Sequence, residues 1–279
     1  MNESSKLTLL KWLEWAQQAL TKADITTARL DSQVLAAHVL GVNKAWLLAH
    51  PEHIIDAKTN KQLNAKLKQR LKRMPMAYVL GSKEFYGREF KVTPDVLTPR
   101  PETEQIITFL KDIQPTAGQR LVDVGTGSGA IAITAKLEYP HLVVEACDIS
   151  QDALGVARTN AKQLGAKVRF FTSNLLEKVR GPYDIIVANL PYVDAGWKRG
   201  TETNYEPSIA LFAEDKGLAL IKQLIDQAPA FLSLKGYLII EADPRQHDDI
   251  IAYANEHFTL VSHEGYALVF TDGTLQASP

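Results

Sequence analysis

Apolar residues in the first seventy positions recur at steps of three and four. Leu9, Leu10, Leu13, Ala16 and Leu20 form one stripe, the mark of an amphipathic helix. A second helix is predicted from Thr26/Thr27, carrying Leu30, Val34, Leu35 and Val39 and stopped by Gly41. Asn43 can cap a short third helix through Trp46 and Leu48. A fourth runs from Asp56 to Arg73, with Leu63, Leu67 and Leu71 inward and Pro75 at its end. The period then changes. Tyr78, Val79, Leu80, Phe85, Tyr86, Phe90, Val92, Val96 and Leu97 roughly alternate, broken by Gly81 and Gly87, which predicts a β-hairpin. A helix follows from Thr103 to Ile113, with Ile106, Ile107 and Leu110 on one face. From Arg120 onward, strands near 120–124, 142–147, 167–172, 183–189 and 236–242 alternate with helices near 128–139, 151–164, 215–232 and 245–256. That alternation implies a doubly wound parallel sheet. The last two runs, 258–263 and 266–271, are separated only by Glu264-Gly265, so the sheet ends in an antiparallel hairpin. The chain thus divides into a helical bundle at 1–75, a hairpin linker at 76–100 and an α/β domain at 101–279.

Composition narrows the class. The 279 residues include 31 Lys and Arg against 32 Asp and Glu. This balance argues against a protein held on nucleic acid mainly by charge. The single cysteine, Cys147, excludes a disulfide framework and a cysteine-based zinc site. The start, Met1-Asn2-Glu3-Ser4-Ser5-Lys6, lacks a basic n-region and apolar h-region, and no uncharged run approaches a membrane span. A cytoplasmic protein with no membrane partner is expected. The fourth helix is basic, with Lys58, Lys61, Lys66, Lys68, Arg70, Lys72 and Arg73 and no acid between them. Such a run is either a solvated face or a contact for acidic groups.

Two loops carry candidate chemistry. Asp123-Val124-Gly125-Thr126-Gly127-Ser128-Gly129 follows the first strand of the α/β domain and opens a helix. Its glycines permit a tight turn and let a ligand lie against bare backbone. Asp148, at the end of the next strand, can accept both hydrogens of a ribose diol, or cap the helix that follows. The glycines alternate as G-x-G-x-G rather than G-x-G-x-x-G, and Asp123 would repel a pyrophosphate while welcoming the cationic groups of S-adenosylmethionine. Asn174 can accept from an adenine amino group and Leu175 can cover the ring. Cys147 is expected to be a small buried hydrophobe. The second loop, Asn189-Leu190-Pro191-Tyr192, leaves the strand Tyr183 to Ala188 at its carboxyl end. An Asn carbonyl, a backbone carbonyl beside Pro and an aromatic face could together hold a planar NH2 group. Adenine and glutamine would serve equally on these residues alone.

These stretches resemble the HemK/PrmC type of protein glutamine N5-methyltransferase. The resemblance also covers Ala28-Arg29-Leu30-Asp31 with Ala36-Ala37-His38-Val39-Leu40-Gly41, Pro75-Met76-Ala77-Tyr78-Val79-Leu80-Gly81, Glu84-Phe85-Tyr86-Gly87, and Leu97-Thr98-Pro99-Arg100-Pro101-Glu102-Thr103-Glu104. It implies a class I S-adenosylmethionine-dependent fold, Rossmann-like, with a seven-stranded sheet ending in an antiparallel hairpin and a small N-terminal helical bundle. It further implies methylation of the Gln in the Gly-Gly-Gln tip of class I peptide release factors, docked by the helical domain, with S-adenosylhomocysteine as product. Gly125 to Gly129, Asp148, Leu175 and Asn189 would hold the methyl donor. Asn189, Leu190, Pro191 and Tyr192 would hold the substrate amide, with Tyr192 stacked on its plane.

The chain departs from the pattern in three places. Leu190 replaces the first Pro of the usual Asn-Pro-Pro-Tyr, which keeps the acceptor carbonyl and brings ribosomal RNA adenine dimethyltransferases into view. Asn174 is neutral where the family has an acid. Glu241-Ala242-Asp243-Pro244 and the tail from Thr271 leave the usual ending, and no strong general base stands near the Asn189 loop in the sequence. The competing readings are an adenine N6-methyltransferase on RNA or DNA and a non-catalytic scaffold with a decayed fold. The near-neutral charge and the absence of a target-recognition domain count against the first, and the intact loop residues count against the second.

Overall fold

The computed structural model describes residues 6–272; the first residues of the leader reading and the tail beyond Asp272 lie outside them. The chain forms two compact units, Met1–Gly81 with Gly200–Tyr205, and Ser82–Arg199 with Glu206–Pro279.

The first unit is helical: α1 (Leu9–Lys22), α2 (Ala28–Leu40), α3 (Lys44–Ala49), α4 (Ala57–Leu71) and α5 (Met76–Leu80). The side chains of Thr8, Asn43 and Asp56 cap α1, α3 and α4 by accepting from the N–H groups of Lys11, Trp46 and Thr59. Leu9, Trp12, Leu20, Leu35, Leu63 and Leu67 fill the core. Leu30, one of the apolar residues that marked this helix, is half exposed. The reason is a polar contact: buried Asp31 accepts from Arg70 Nε at 2.6 Å and turns α2 so that Ala28, Asp31 and Leu35 face in. Arg70 also pairs with Glu202 at 2.6 Å. The basic run on α4 therefore splits. Lys66 donates to the Val79 carbonyl, Arg73 to that of Ala23, and Arg70 is buried, while Lys58, Lys61, Lys68 and Lys72 are exposed. Tyr78 to Leu80, expected to be extended, are helical, because Pro75 opens a turn that Gly81 closes at φ +85°.

The second unit begins with a separate hairpin, β1 (Ser82–Phe85) and β2 (Arg88–Lys91). There follow α6 (Glu104–Ile113), β3 (Arg120–Val124), α7 (Ala130–Glu138), β4 (Val143–Asp148), α8 (Gln151–Leu164), β5 (Arg169–Thr172) and β6 (Tyr183–Ala188). The chain ends with α9 (Ala219–Gln227), β7 (Leu232–Glu241), α10 (His247–Ala254), β8 (Phe258–Glu264) and β9 (Ala267–Asp272). The sheet order is β5-β4-β3-β6-β7-β9-β8. Strands β3 to β7 pair in parallel, and β9 lies antiparallel to both β7 and β8. Each central strand alternates its apolar residues between two cores. Val122, Ile186, Leu238 and Ile240 pack with Ile221 and Leu224 of α9, while Leu121, Ile185, Val187 and Ile239 face the side of Ile106 and Ile131. The helix expected at 215–232 is shorter than the pattern suggested, because single tight turns at Asp215–Gly217 and Ala228–Ala230 flank α9.

Strand β3 lies between β4 and β6, so the chain leaves β3 toward one side and later returns on the other. Loops diverging from such a switch point open a crevice at the carboxyl edge. Val124 pairs with Ala188 and Ala188 with Ile240. The next residues of the three strands, Gly125, Asn189 and Glu241, therefore stand level at that edge.

Candidate active site

The crevice is a cavity of about 280 Å³, close to the lower end of the roughly 300–1,000 Å³ of small-molecule sites. Its walls bring the two predicted loops together: Gly125 to Ser128, Asp148, Asn174, Leu175, and Asn189 to Pro191. Residues 95–100, Thr103, Ile209 and Ala210 are also in the walls.

The glycine loop is fixed from below. The Cys147 carbonyl accepts from the N–H groups of Gly125 and Thr126 at 2.9 and 3.0 Å. Gly125 has φ +75°, and a Cβ there would stand 2.9 Å from Leu190 Cδ2. Leu190 is itself buried, so the residue that replaces the expected Pro packs directly on the bare glycine. Asp148 accepts from the N–H of Gly127 through Oδ2 and of Ser150 through Oδ1, both at 2.9 Å. Burial raises its pKa, against the backbone donors of Ser150, Gly127 and Ile149. Ser150 rather than Asp148 caps α8, accepting from Ala153 N–H, which leaves Asp148 on the cavity wall. Asn174 donates its NH2 to Glu177 at 2.7 Å, so its own carbonyl is the end left for a ligand.

Three predicted residues stand elsewhere than expected. Asp123 does not line the cavity. Its Oδ2 accepts from the Thr126 hydroxyl at 2.6 Å and from Ala132 N–H at 3.2 Å, and its Oδ1 is buried without a partner among the described residues. Burial above all, with the charge of Asp148, pushes its pKa up to about 7. It braces the loop and α7 from beneath. Gly129, at the helix start, is also outside the wall. The Tyr192 ring is not a wall either: its hydroxyl donates to Glu241 Oε1 at 3.2 Å, and its backbone carbonyl accepts from Gln246 Nε2 at 2.9 Å. Gly217 lies against that same carbonyl, where a Cβ would come within 2.0 Å. Cys147 is buried as expected, its thiol pushed up to about 12 by burial first and then by Asp123 and Asp148, so it is no nucleophile.

Asn189 sits in the wall with its Nδ2 donating to Thr103 Oγ1 at 3.2 Å. Oδ1 is thereby the free end of the amide, beside the Leu190 backbone. Behind Asn189 stands Glu241, only 1% exposed, whose Oε2 has no hydrogen-bond donor among the described residues. Burial pushes its pKa up to about 7, opposed by the Thr103 and Tyr192 hydroxyls and the Asn189 amide and reinforced by Glu102. Sequence reasoning missed Glu241 as an acid near the loop. The signal was there: one acid ends an apolar strand that pairs with the strand of Asn189. Glu206 was missed too. Its buried carboxylate accepts from the Thr98 hydroxyl at 2.5 Å and Arg100 at 2.6 Å, tying the wall at 98–100 to the segment that carries Ile209.

Among solved structures, a methyltransferase from Pyrococcus furiosus matches with a TM-score of 0.53 at 18% identity, over 77% of this chain and 99% of its own. A Thermus thermophilus 16S rRNA N2 G1207 methyltransferase, solved with AdoMet and guanosine, matches with a TM-score of 0.52 at 16% identity, over 68% of this chain and 49% of its own. Both share the class I methyltransferase fold. Family models described as "PrmC N-terminal domain" and "Methyltransferase small domain" match residues 11–81 and 105–205. The release factor glutamine methyltransferase of Coxiella burnetii is 39% identical over 86% of this chain and 85% of its own. That of Bordetella pertussis is 41% identical over 78% and 83%, and that of Haemophilus influenzae 31% over 90% and 94%. With both halves of the chain matched and relatives aligned over most of its length, the chain belongs to the release factor glutamine methyltransferase family.

Proposed function

We propose that this protein transfers a methyl group from S-adenosylmethionine to the side-chain amide nitrogen of the glutamine in the Gly-Gly-Gln tip of class I release factors. The observation that carries the reading is the orientation of Asn189. Its NH2 is taken up by Thr103, so an acceptor oxygen is offered to the cavity next to the glycine loop.

The residues present fit the methyl donor. Asp148 keeps lone pairs free for a ribose diol, Leu175 and Asn174 offer an apolar face and a carbonyl to adenine, and the 125–128 backbone bounds a cavity of nucleoside scale. S-adenosylmethionine would supply a methyl group on a cationic sulfur. The protein's task is the amide, a weak nucleophile because its lone pair is delocalised. Asn189 Oδ1 and the Leu190 carbonyl would each accept one amide hydrogen, aim the nitrogen and favour the positive charge that develops on it. Positioning supplies much of the rest. Tyr192 contributes from behind, through the loop it anchors, rather than as a stacking face in this arrangement.

The test is transfer of label from S-adenosylmethionine to a class I release factor, to its Gln→Ala variant at the Gly-Gly-Gln tip, and to RNA. Label on the intact factor alone is expected, and Asn189→Ala should abolish most turnover while S-adenosylhomocysteine still binds. Label on RNA, or on the Gln→Ala factor, would overturn the reading.

A further inference from the structure

An acid buried behind an amide-binding loop needs an explanation. Glu241 is among the least exposed charged residues of the unit, yet it does not line the cavity, and among the described residues no Lys or Arg pairs with it. A carboxylate held this deep without a counter-ion is costly. Its neighbours are all groups that can donate: the Tyr192 hydroxyl, the Thr103 hydroxyl and the Asn189 amide, with Glu102 as the nearby like charge.

We infer that Glu241 is a positioning residue that sets the direction of the hydrogen bonds from Tyr192 and Thr103 behind the site, and both directly and through Thr103 fixes which end of the Asn189 amide faces the substrate. Once ionised, at pH values above about 7, the Glu241 carboxylate only accepts. Tyr192 therefore donates to it, as its 3.2 Å contact with Oε1 shows. The Thr103 hydroxyl and the Asn189 NH2 face the same carboxylate, so the hydroxyl hydrogen is drawn the same way. With that hydrogen committed, Thr103 Oγ1 presents lone pairs to Asn189, and the amide answers with its NH2. Oδ1 is then left for the substrate amide. The two ends of an Asn side chain have nearly the same shape, so packing alone selects weakly between them. The acceptor-only anchor makes the selection. Were the amide reversed, an NH2 would meet the NH2 of the substrate, donor against donor, and the nitrogen would not be held for attack.

Gln at 241 is the discriminating substitution, because it keeps the shape and adds a donor. Its NH2 can donate to Thr103, turn that hydroxyl toward Asn189 and invert the amide. The inference rests on the proposed methyl transfer, and the experiment separates the two. Turnover of a class I release factor is measured at pH 8.5, where Glu241 is ionised, for the wild type, Glu241→Gln, Thr103→Val and Thr103→Ser, with S-adenosylhomocysteine affinity by calorimetry on each. The expectation is a fall in kcat of roughly 10- to 100-fold for Glu241→Gln, the scale of a misaligned reactive group. KM for the factor and the affinity for S-adenosylhomocysteine should change far less. Thr103→Val should show the same split, and Thr103→Ser should recover most of the lost kcat. Wild-type kcat in Glu241→Gln would overturn the inference, as would equal losses in kcat and in S-adenosylhomocysteine affinity. If Glu241→Gln does not fold, wild-type kcat in Thr103→Val overturns it instead. A wild-type enzyme that transfers no label to the factor would instead refute the proposed activity itself.

Discussion

Glu241→Gln should make the protein more stable in alkaline solution, by an amount the structure sets. Burial is the largest influence on Glu241 and outweighs the donors around it, raising its pKa from 4.5 to about 7. Between those two values the folded protein keeps a proton that the unfolded chain has released. Stability therefore falls as pH rises through this window and levels off above it. At about 1.36 kcal/mol per tenfold change in proton affinity, the full effect is about 3 kcal/mol, most of which develops between pH 5 and pH 8. Gln has no proton to lose, so the stability of Glu241→Gln relative to the wild type should rise by that amount across the interval. In thermal unfolding followed by circular dichroism this is roughly 5–10 °C of added Tm difference for a unit of this size. Asp123 is raised to about 7 as well, chiefly by burial, but it is common to both proteins and drops out of the comparison. A Tm difference that stays constant from pH 5 to pH 8 would refute the reasoning, because it would mean that Glu241 titrates alike in the folded and unfolded chains. A variant that is both more stable and slower would fit an acid kept for its hydrogen-bond polarity at the expense of stability.

Other substitutions probe separate parts of the molecule. Asp148→Ala removes the acceptor on the ribose side of the cavity and should weaken S-adenosylhomocysteine binding roughly 10- to 100-fold by calorimetry, the worth of a charge-assisted hydrogen bond; an unchanged Kd would exclude Asp148 from the site. Gly217→Ala places a Cβ within 2.0 Å of the Tyr192 carbonyl at φ +88°, so the loop must move and kcat should fall with about 2–4 kcal/mol of stability; full activity in steady-state assays would contradict that anchoring. Arg70→Ala leaves Asp31 buried without its partner and should destabilise the helical unit by about 3–5 kcal/mol, read as loss of amide-exchange protection in α2 and α4.

The α/β unit was legible in the sequence because its signals are local. Apolar runs such as Tyr183 to Ala188 mark parallel strands, and the glycine loop and the Asn189 loop each follow a strand end. Their meeting at one crevice needs only the strand order. What was not legible depends on where side chains point. Leu30 looks like a core residue by period, yet the ion pair of Asp31 with Arg70 turns it outward. Asp123 reads as a ligand for a cation, but its position within the strand puts it beneath the loop, bonded to Thr126 and Ala132. Tyr192 follows Pro191 in the motif, yet its ring leaves the cavity for Glu241. Pattern assigns a residue to a loop; only the fold decides which face of the loop it takes.

The run from Thr98 to Glu104 shows why a stretch without an obvious nucleophile or base can still be specific. Its members serve different neighbours. Thr98 and Arg100 hold the buried carboxylate of Glu206 and so fix the segment bearing Ile209 against the cavity. Glu104 accepts from Tyr86 N–H at 2.9 Å and secures the preceding hairpin. Thr103 turns the Asn189 amide, and the charge of Glu102 raises the pKa of Glu241 behind it. The two prolines set φ at fixed points between these contacts, and Pro101 opens the turn that leads into α6. A substitution anywhere in the run therefore disturbs a different boundary of the same cavity. The identity of the run is set by how many separate partners one short rigid segment must reach at once, not by any single reaction step it performs.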